Sequence, residues 1–106
     1  MIDVTGYKTC AGAAKAIVKA LHELGYPEAC VLKPENNSLS GCWAVILDGG
    51  PHDALISLSL GGTMYADELG YHNSDGSYRE PEIKMTGAKN WYAEPYYSWH
   101  LDIVPD

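Results

Sequence analysis

A chain of 106 residues can bury roughly two-thirds of the surface its unfolded form exposes, which predicts one domain that folds without disulfides or a metal. Its net charge of −7 disfavours direct binding to nucleic acid or to an anionic membrane and favours a basic protein partner. Three cysteines, Cys10, Cys30 and Cys42, lie among small or apolar residues and suit a reduced, cytoplasmic setting; Met1 to Val4 carry no secretion signal, and no apolar run approaches the ~20 residues of a membrane helix.

The charge is uneven. In residues 1–33 four lysines outnumber Asp3, Glu23 and Glu28, a balance of +1, which leaves −8 for the rest of a chain whose total is −7. The acidic character therefore belongs to the second part of the sequence.

In chain order, the first predicted element is a helix from about Cys10 to Leu24. Thr9 supplies an N-cap oxygen, Gly25 follows the last periodic residue, and Pro27 forbids continuation. Ala14, Ile17, Val18, Leu21 and Leu24 form one apolar stripe at helical spacing, with Lys15, Lys19, His22 and Glu23 opposite. Cys10 falls in the first turn, where the helix dipole would favour a thiolate, but a small residue tolerated at a helix start is the favoured reading.

A short apolar run at Ala29 to Leu32 predicts a strand, and Pro34-Glu35-Asn36-Asn37-Ser38 is turn chemistry. The centre of the fold is predicted at 41–62, read as a β-hairpin. Cys42 to Leu47 is apolar in both parities, as a strand covered on both faces requires. Asp48-Gly49-Gly50-Pro51 then turns the chain, and Ala54, Ile56, Leu58 and Leu60 alternate with Asp53, Ser57 and Ser59, broken only by Leu55, in a strand buried on one face. Residues 63–69 fit either a strand or one helical turn, with Asp67 and Glu68 adding to the acidic surface, and 70–79 reads as a loop.

From Trp91 the alternation is regular. One parity holds Trp91, Ala93, Pro95, Tyr97, Trp99, Leu101 and Ile103; the other holds Tyr92, Glu94, Tyr96, Ser98, His100 and Asp102. This predicts an extended strand or a bent pair of strands, with Pro95 at an edge or a bulge because it has no ladder donor. The second parity is expected to face water. Eight of the eleven aromatic residues fall between Tyr65 and Trp99, so the aromatic character is regional like the acidity.

Several arrangements could carry chemistry. Ser40-Gly41-Cys42-Trp43-Ala44 is superficially similar to the nucleophile segment of papain-like cysteine proteases, but the upstream cysteine is missing and a strand rather than a helix follows. Asn73-Ser74-Asp75-Gly76 with Glu82 matches several positions of a calcium-binding EF-hand loop, yet Tyr71 stands at the first ligand position and no helix pattern flanks it, so a tight turn is expected. Asp48, His52 and Asp53 could approach one metal ion, and a polar turn explains them as well. No phosphate-cradling glycine loop, dinucleotide fingerprint or Ser-His-Asp signature is present, and no cofactor is expected.

The sequence thus predicts an α+β chain, one N-terminal helix packed on a mostly antiparallel sheet of four to six strands. Its expected function is non-catalytic: an acidic binder that inhibits a larger, basic, nucleic-acid-handling protein by occupying its surface. A phage-encoded antagonist of a defence system, such as an anti-CRISPR protein, and a toxin-immunity protein are the settings that suit it. The partner-binding residues are Tyr92, Glu94, Tyr96, His100, Asp102, Asp67 and Glu68. The alternative is a small enzyme or ligand-binding module: a thiol hydrolase using Cys42 with His52, His72 or His100, or an aromatic and carboxylate surface for a glycan or nucleotide.

Overall fold

The computed structural model describes residues 2–47, 75, 83–97 and 99–106. In chain order these form β1 (Ile2–Asp3), α1 (Cys10–Glu23), β2 (Cys30–Leu32), a 3-10 turn (Pro34–Asn36), β3 (Trp43–Ile46), β4 (Ile83–Lys84), β5 (Trp91–Tyr97) and β6 (His100–Pro105). The turn at 48–51, the strand expected at 53–60, the stretch 63–69 and His72 lie outside the described residues.

The helix forms where its end signals place it. Thr9 sits in an extended conformation and its hydroxyl accepts the Gly12 N–H at 3.0 Å, satisfying one of the orphan donors of the first turn. A side chain at position 12 would meet that hydroxyl at 3.0 Å and the Tyr7 ring at 3.4 Å, so the glycine leaves room for the cap. At the other end Gly25 takes φ +97°, its N–H donates to the His22 carbonyl at 3.1 Å, and the Tyr26 N–H reaches back to Leu21 at 2.9 Å. This paired closure is a Schellman motif, which a left-handed glycine makes available. His22 adds a tie from Nε2 to the Ala29 carbonyl at 2.8 Å, fixing how the chain leaves the helix for β2.

Four strands make one antiparallel sheet in the order β2-β3-β6-β5, and β1 pairs with β4 in a short parallel ladder. The fold is α+β, as the sequence predicts. β3 lies between β2 and β6, with Val45 opposite both Val31 and Leu101, and Ala44 and Val45, which point to opposite faces, are both fully buried, as a strand apolar in both parities requires. Ile17, Val18 and Leu21 of α1 pack with Val45, Leu47, Trp91, Leu101 and Ile103, so one face of the sheet and the helix stripe close the core. Trp43 is partly buried against the core, and the Lys15 ammonium lies 5.9 Å from its ring centre, a cation–π contact that occupies one of the two helix lysines. Fully buried Trp91 donates its indole N–H to the Tyr7 carbonyl at 2.8 Å and so pins the loop between β1 and α1 to the sheet.

The alternation after Trp91 resolves as a bent pair, the hairpin β5–β6. Pro95 lies on the outermost strand of the described sheet, and the register slips between Pro95 and Tyr97, leaving Tyr96 as the extra residue of a bulge. Both readings of the proline hold at once.

Candidate interaction surface

The sequence places Tyr92, Glu94, Tyr96, His100 and Asp102 on one solvent face, and the structure divides them. Tyr92 and Tyr96 are 45 % and 46 % exposed, Glu94 is exposed, and Tyr97 joins them at 47 %. His100 and Asp102 are 1 % and 4 % exposed, which corrects their assignment to the solvent face. Parity gives the face of the sheet correctly, since Asp102 pairs across the ladder with Glu94. Packing above the face decides coverage: the Asn37 amide lies on Asp102 and the Tyr96 and Trp99 rings lie beside His100, whereas Glu94 belongs to the outermost described strand. Asp67 and Glu68 lie outside the described residues.

The buried pair is satisfied. His100 Nε2 and Asp102 Oδ1 are 2.8 Å apart, and the same oxygen accepts an N–H of the buried Asn37 amide at 3.2 Å. Asn37 also donates to the Cys42 carbonyl at 2.8 Å and to the Ser40 hydroxyl at 3.0 Å, so one amide joins the loop before β3 to β6. A buried carboxylate is tolerable only with such partners. Sequence reasoning missed Asn37 because it reads as one more polar residue in a turn.

Above this pair stands an aromatic group. The Tyr96 ring lies 5.5 Å from the His100 ring, Trp99 lies 5.8 Å from it, Tyr97 stacks on Trp99 at 5.1 Å, and Tyr96 meets Tyr97 edge-on at 4.8 Å. The bulge is what permits this. An ideal strand sends neighbouring side chains to opposite faces, and the extra residue brings consecutive tyrosines together. The result is a ring cluster whose inner members are packed and whose outer members face water, the composition of an interface anchor.

The thiols read differently from one another. Burial, reinforced by the nearby Cys42, pushes the Cys10 thiol up from its ordinary range, so the thiolate suggested by its place in the first turn is not favoured. Cys42 is half-buried with its sulfur 3.9 Å from the Ser40 carbonyl, and Cys30 is exposed. Among the described residues no group of three or more His, Cys, Asp or Glu is placed to hold a metal; Asp48, His52 and Asp53 lie outside them. No described helix is long and apolar enough to cross a membrane.

No family model, no curated protein and no solved structure matches the chain.

Proposed function

We propose that this chain is a non-catalytic acidic binding protein that occupies the basic surface of a larger, nucleic-acid-handling protein, with the outer face of β5 as its contact. The observation that carries the reading is the concentration of Tyr92, Tyr96 and Tyr97, each close to half exposed, around exposed Glu94 on an edge strand. Tyrosine offers contact area at low entropic cost, and a net charge of −7 steers a basic partner toward it. Inhibition follows by occupation of a surface that nucleic acid would otherwise use. A phage anti-defence antagonist and a toxin-immunity protein are the settings in which such a chain would act.

The competing hydrolase reading draws less support. His100, one of its candidate bases, is 1 % exposed and already bonded to Asp102, which leaves it no approach for a substrate.

Capture from a host lysate at low and at high salt identifies the partner, because a charge-steered complex weakens as salt rises. With the partner in hand, Glu94→Lys should slow association and flatten its salt dependence, whereas Tyr96→Ala should speed dissociation by an amount equivalent to about 2 kcal/mol. Glu94→Lys should stay within about 0.5 kcal/mol of the parent in stability, since its side chain faces water, whereas Tyr96→Ala also loses ring contacts with Tyr97 and His100 and should cost about 0.5–1.5 kcal/mol. Exposed Lys19 on α1 is the control. Loss of binding in Lys19→Glu with none in the β5 variants would move the interface to the helix and end the proposal.

A further inference from the structure

The helix and β3 run in the same direction, and two contacts fix how far along each other they sit. Near the start of β3 the Lys15 ammonium lies 5.9 Å from the Trp43 ring centre. Near its other end His22 is tied to the Ala29 carbonyl at 2.8 Å, and the next residue, Cys30, stands opposite Ile46 in the ladder. Cys10 precedes Lys15 by about 7.5 Å along the helix axis. Helical side chains lean toward the N-terminus, so the lysine reaches back over part of that distance, and the first turn comes level with the residue before Trp43. That residue is Cys42.

Cys10 also lies on the side of the helix that faces the sheet. It shares that side with Ala14, Ile17 and Leu21, all fully buried, and packs against the core while staying partly exposed at the helix end. Cys42 is half-buried just outside β3 and follows Gly41 at φ +72°, so the alternation of the strand does not hold its side chain to the far face. The two thiols also sense each other: Cys10 is raised first by burial and next by Cys42. Cys30 stands apart. It is exposed opposite Ile46, so Cys42 lies about 13 Å from it along the sheet, well beyond the ~7 Å between Cα atoms that a disulfide can span. Cys10, at the opposite end of α1 from His22, is farther from Cys30 still.

We propose that Cys10 and Cys42 form a peroxide-responsive site, two thiols in a reducing compartment that join as a disulfide when hydrogen peroxide reaches them. One sulfur, as thiolate, takes a hydroxyl group from the peroxide and releases hydroxide. The second thiol then attacks that sulfur, the hydroxyl leaves as water, and the S–S bond forms. Two electrons and two protons pass from the thiols, and the peroxide ends as two waters. The bond closes a loop of about thirty residues and ties the helix start to the segment in which Asn37 already holds the Cys42 carbonyl at 2.8 Å. No residue of the β5 surface takes part, so this site is independent of the binding proposal.

The test treats the folded chain with dilute hydrogen peroxide, blocks the remaining thiols and maps the peptides by mass spectrometry without reductant. The expected result is a monomer lighter by two hydrogens, with Cys10 linked to Cys42 about tenfold or more in excess over either linkage to Cys30. The same link should form in Cys30→Ser and disappear on adding dithiothreitol. The chain unfolded in urea supplies the contrast. There loop closure favours the shortest of the three possible loops, Cys30 with Cys42, whereas the folded chain should choose the longest. A folded chain that links Cys30, that leaves Cys10 and Cys42 unlinked as thiols or oxyacids, or that gives the same mixture as the unfolded chain would overturn the proposal.

Discussion

Removing the carboxylate of Asp102 is the sharpest available probe of how this sheet is held together. Asp102→Ala takes the acceptor from two donors at once, His100 at 2.8 Å and Asn37 at 3.2 Å, in a site where His100, Asp102 and Asn37 are all less than a twentieth exposed. Leaving a buried polar group unpaired costs about 1–3 kcal/mol; His100 is orphaned, whereas the Asn37 amide keeps the Cys42 carbonyl and the Ser40 hydroxyl for its two N–H groups, so the expected loss is about 1–3 kcal/mol. That is a measurable share of the ~5–15 kcal/mol by which domains are stable, so urea unfolding should be followed in a stabilising buffer. Asp102→Asn keeps an acceptor oxygen and should cost less than half as much. A double-mutant cycle takes Asp102→Leu and His100→Leu, each alone and the two together. Replacing both partners with apolar groups removes the orphaned polar atoms, so the double variant should be more stable than Asp102→Leu, with a coupling of at least about 1 kcal/mol. A loss below about 1 kcal/mol for Asp102→Ala, or strict additivity across the cycle, would refute the view that these side chains form one satisfied buried unit.

Three further outcomes are expected. Gly25→Ala forces a side chain into φ +97° with nothing nearby to clash, so it should cost about 1–2 kcal/mol from the backbone alone, read as a lower thermal midpoint, while Gly6→Ala should change little. In the native state a thiol probe should label exposed Cys30 well before Cys10, whose thiol is raised by burial; equal rates would contradict the helix-start packing. The Asp3 carboxyl is held below its ordinary range chiefly by the Thr5 hydroxyl, next by the Thr5 N–H and last by Lys84, so Thr5→Val should move its NMR titration upward toward the ordinary range. Since the folded value is the depressed one, the associated stabilisation is present above the unfolded value and disappears as pH falls through the folded value; a midpoint unmoved by Thr5→Val would remove the hydroxyl as the cause.

The helix was legible from end to end because its signals are local. Thr9 and Gly25 act within four residues of themselves, and the Ile17, Val18 and Leu21 stripe needs only the helical period. β3 was legible for a related reason, since a strand apolar in both parities has to be interior. The exposure of His100 and Asp102 was not legible. Period two separates the faces of a strand, but whether a face is covered depends on what packs above it, here Asn37 from a distant loop and the rings gathered by the bulge. The same limit hid Asn37, whose role exists only once residues 65 positions apart are brought together. Tyr92, Glu94 and Tyr96 are exposed on the outermost described strand as parity predicts, but Tyr97 of the other parity is exposed too, because the bulge at Tyr96 breaks the alternation.

The pairing of β3 with β6 bears on how the protein is made. Trp43 meets Ile103 in the ladder, so the middle of the sheet closes a loop of dozens of residues, and the entropy of that closure is met before the contact gives anything back. The β5–β6 hairpin is the opposite case, since Tyr97 and His100 are nearly adjacent and their turn can form on its own within microseconds. During synthesis α1, β2 and β3 emerge with one flank of β3 unpaired until β6 has left the ribosome. Until then an apolar strand remains open to whatever meets it first, and the chain depends on its own hairpin arriving before a stranger does.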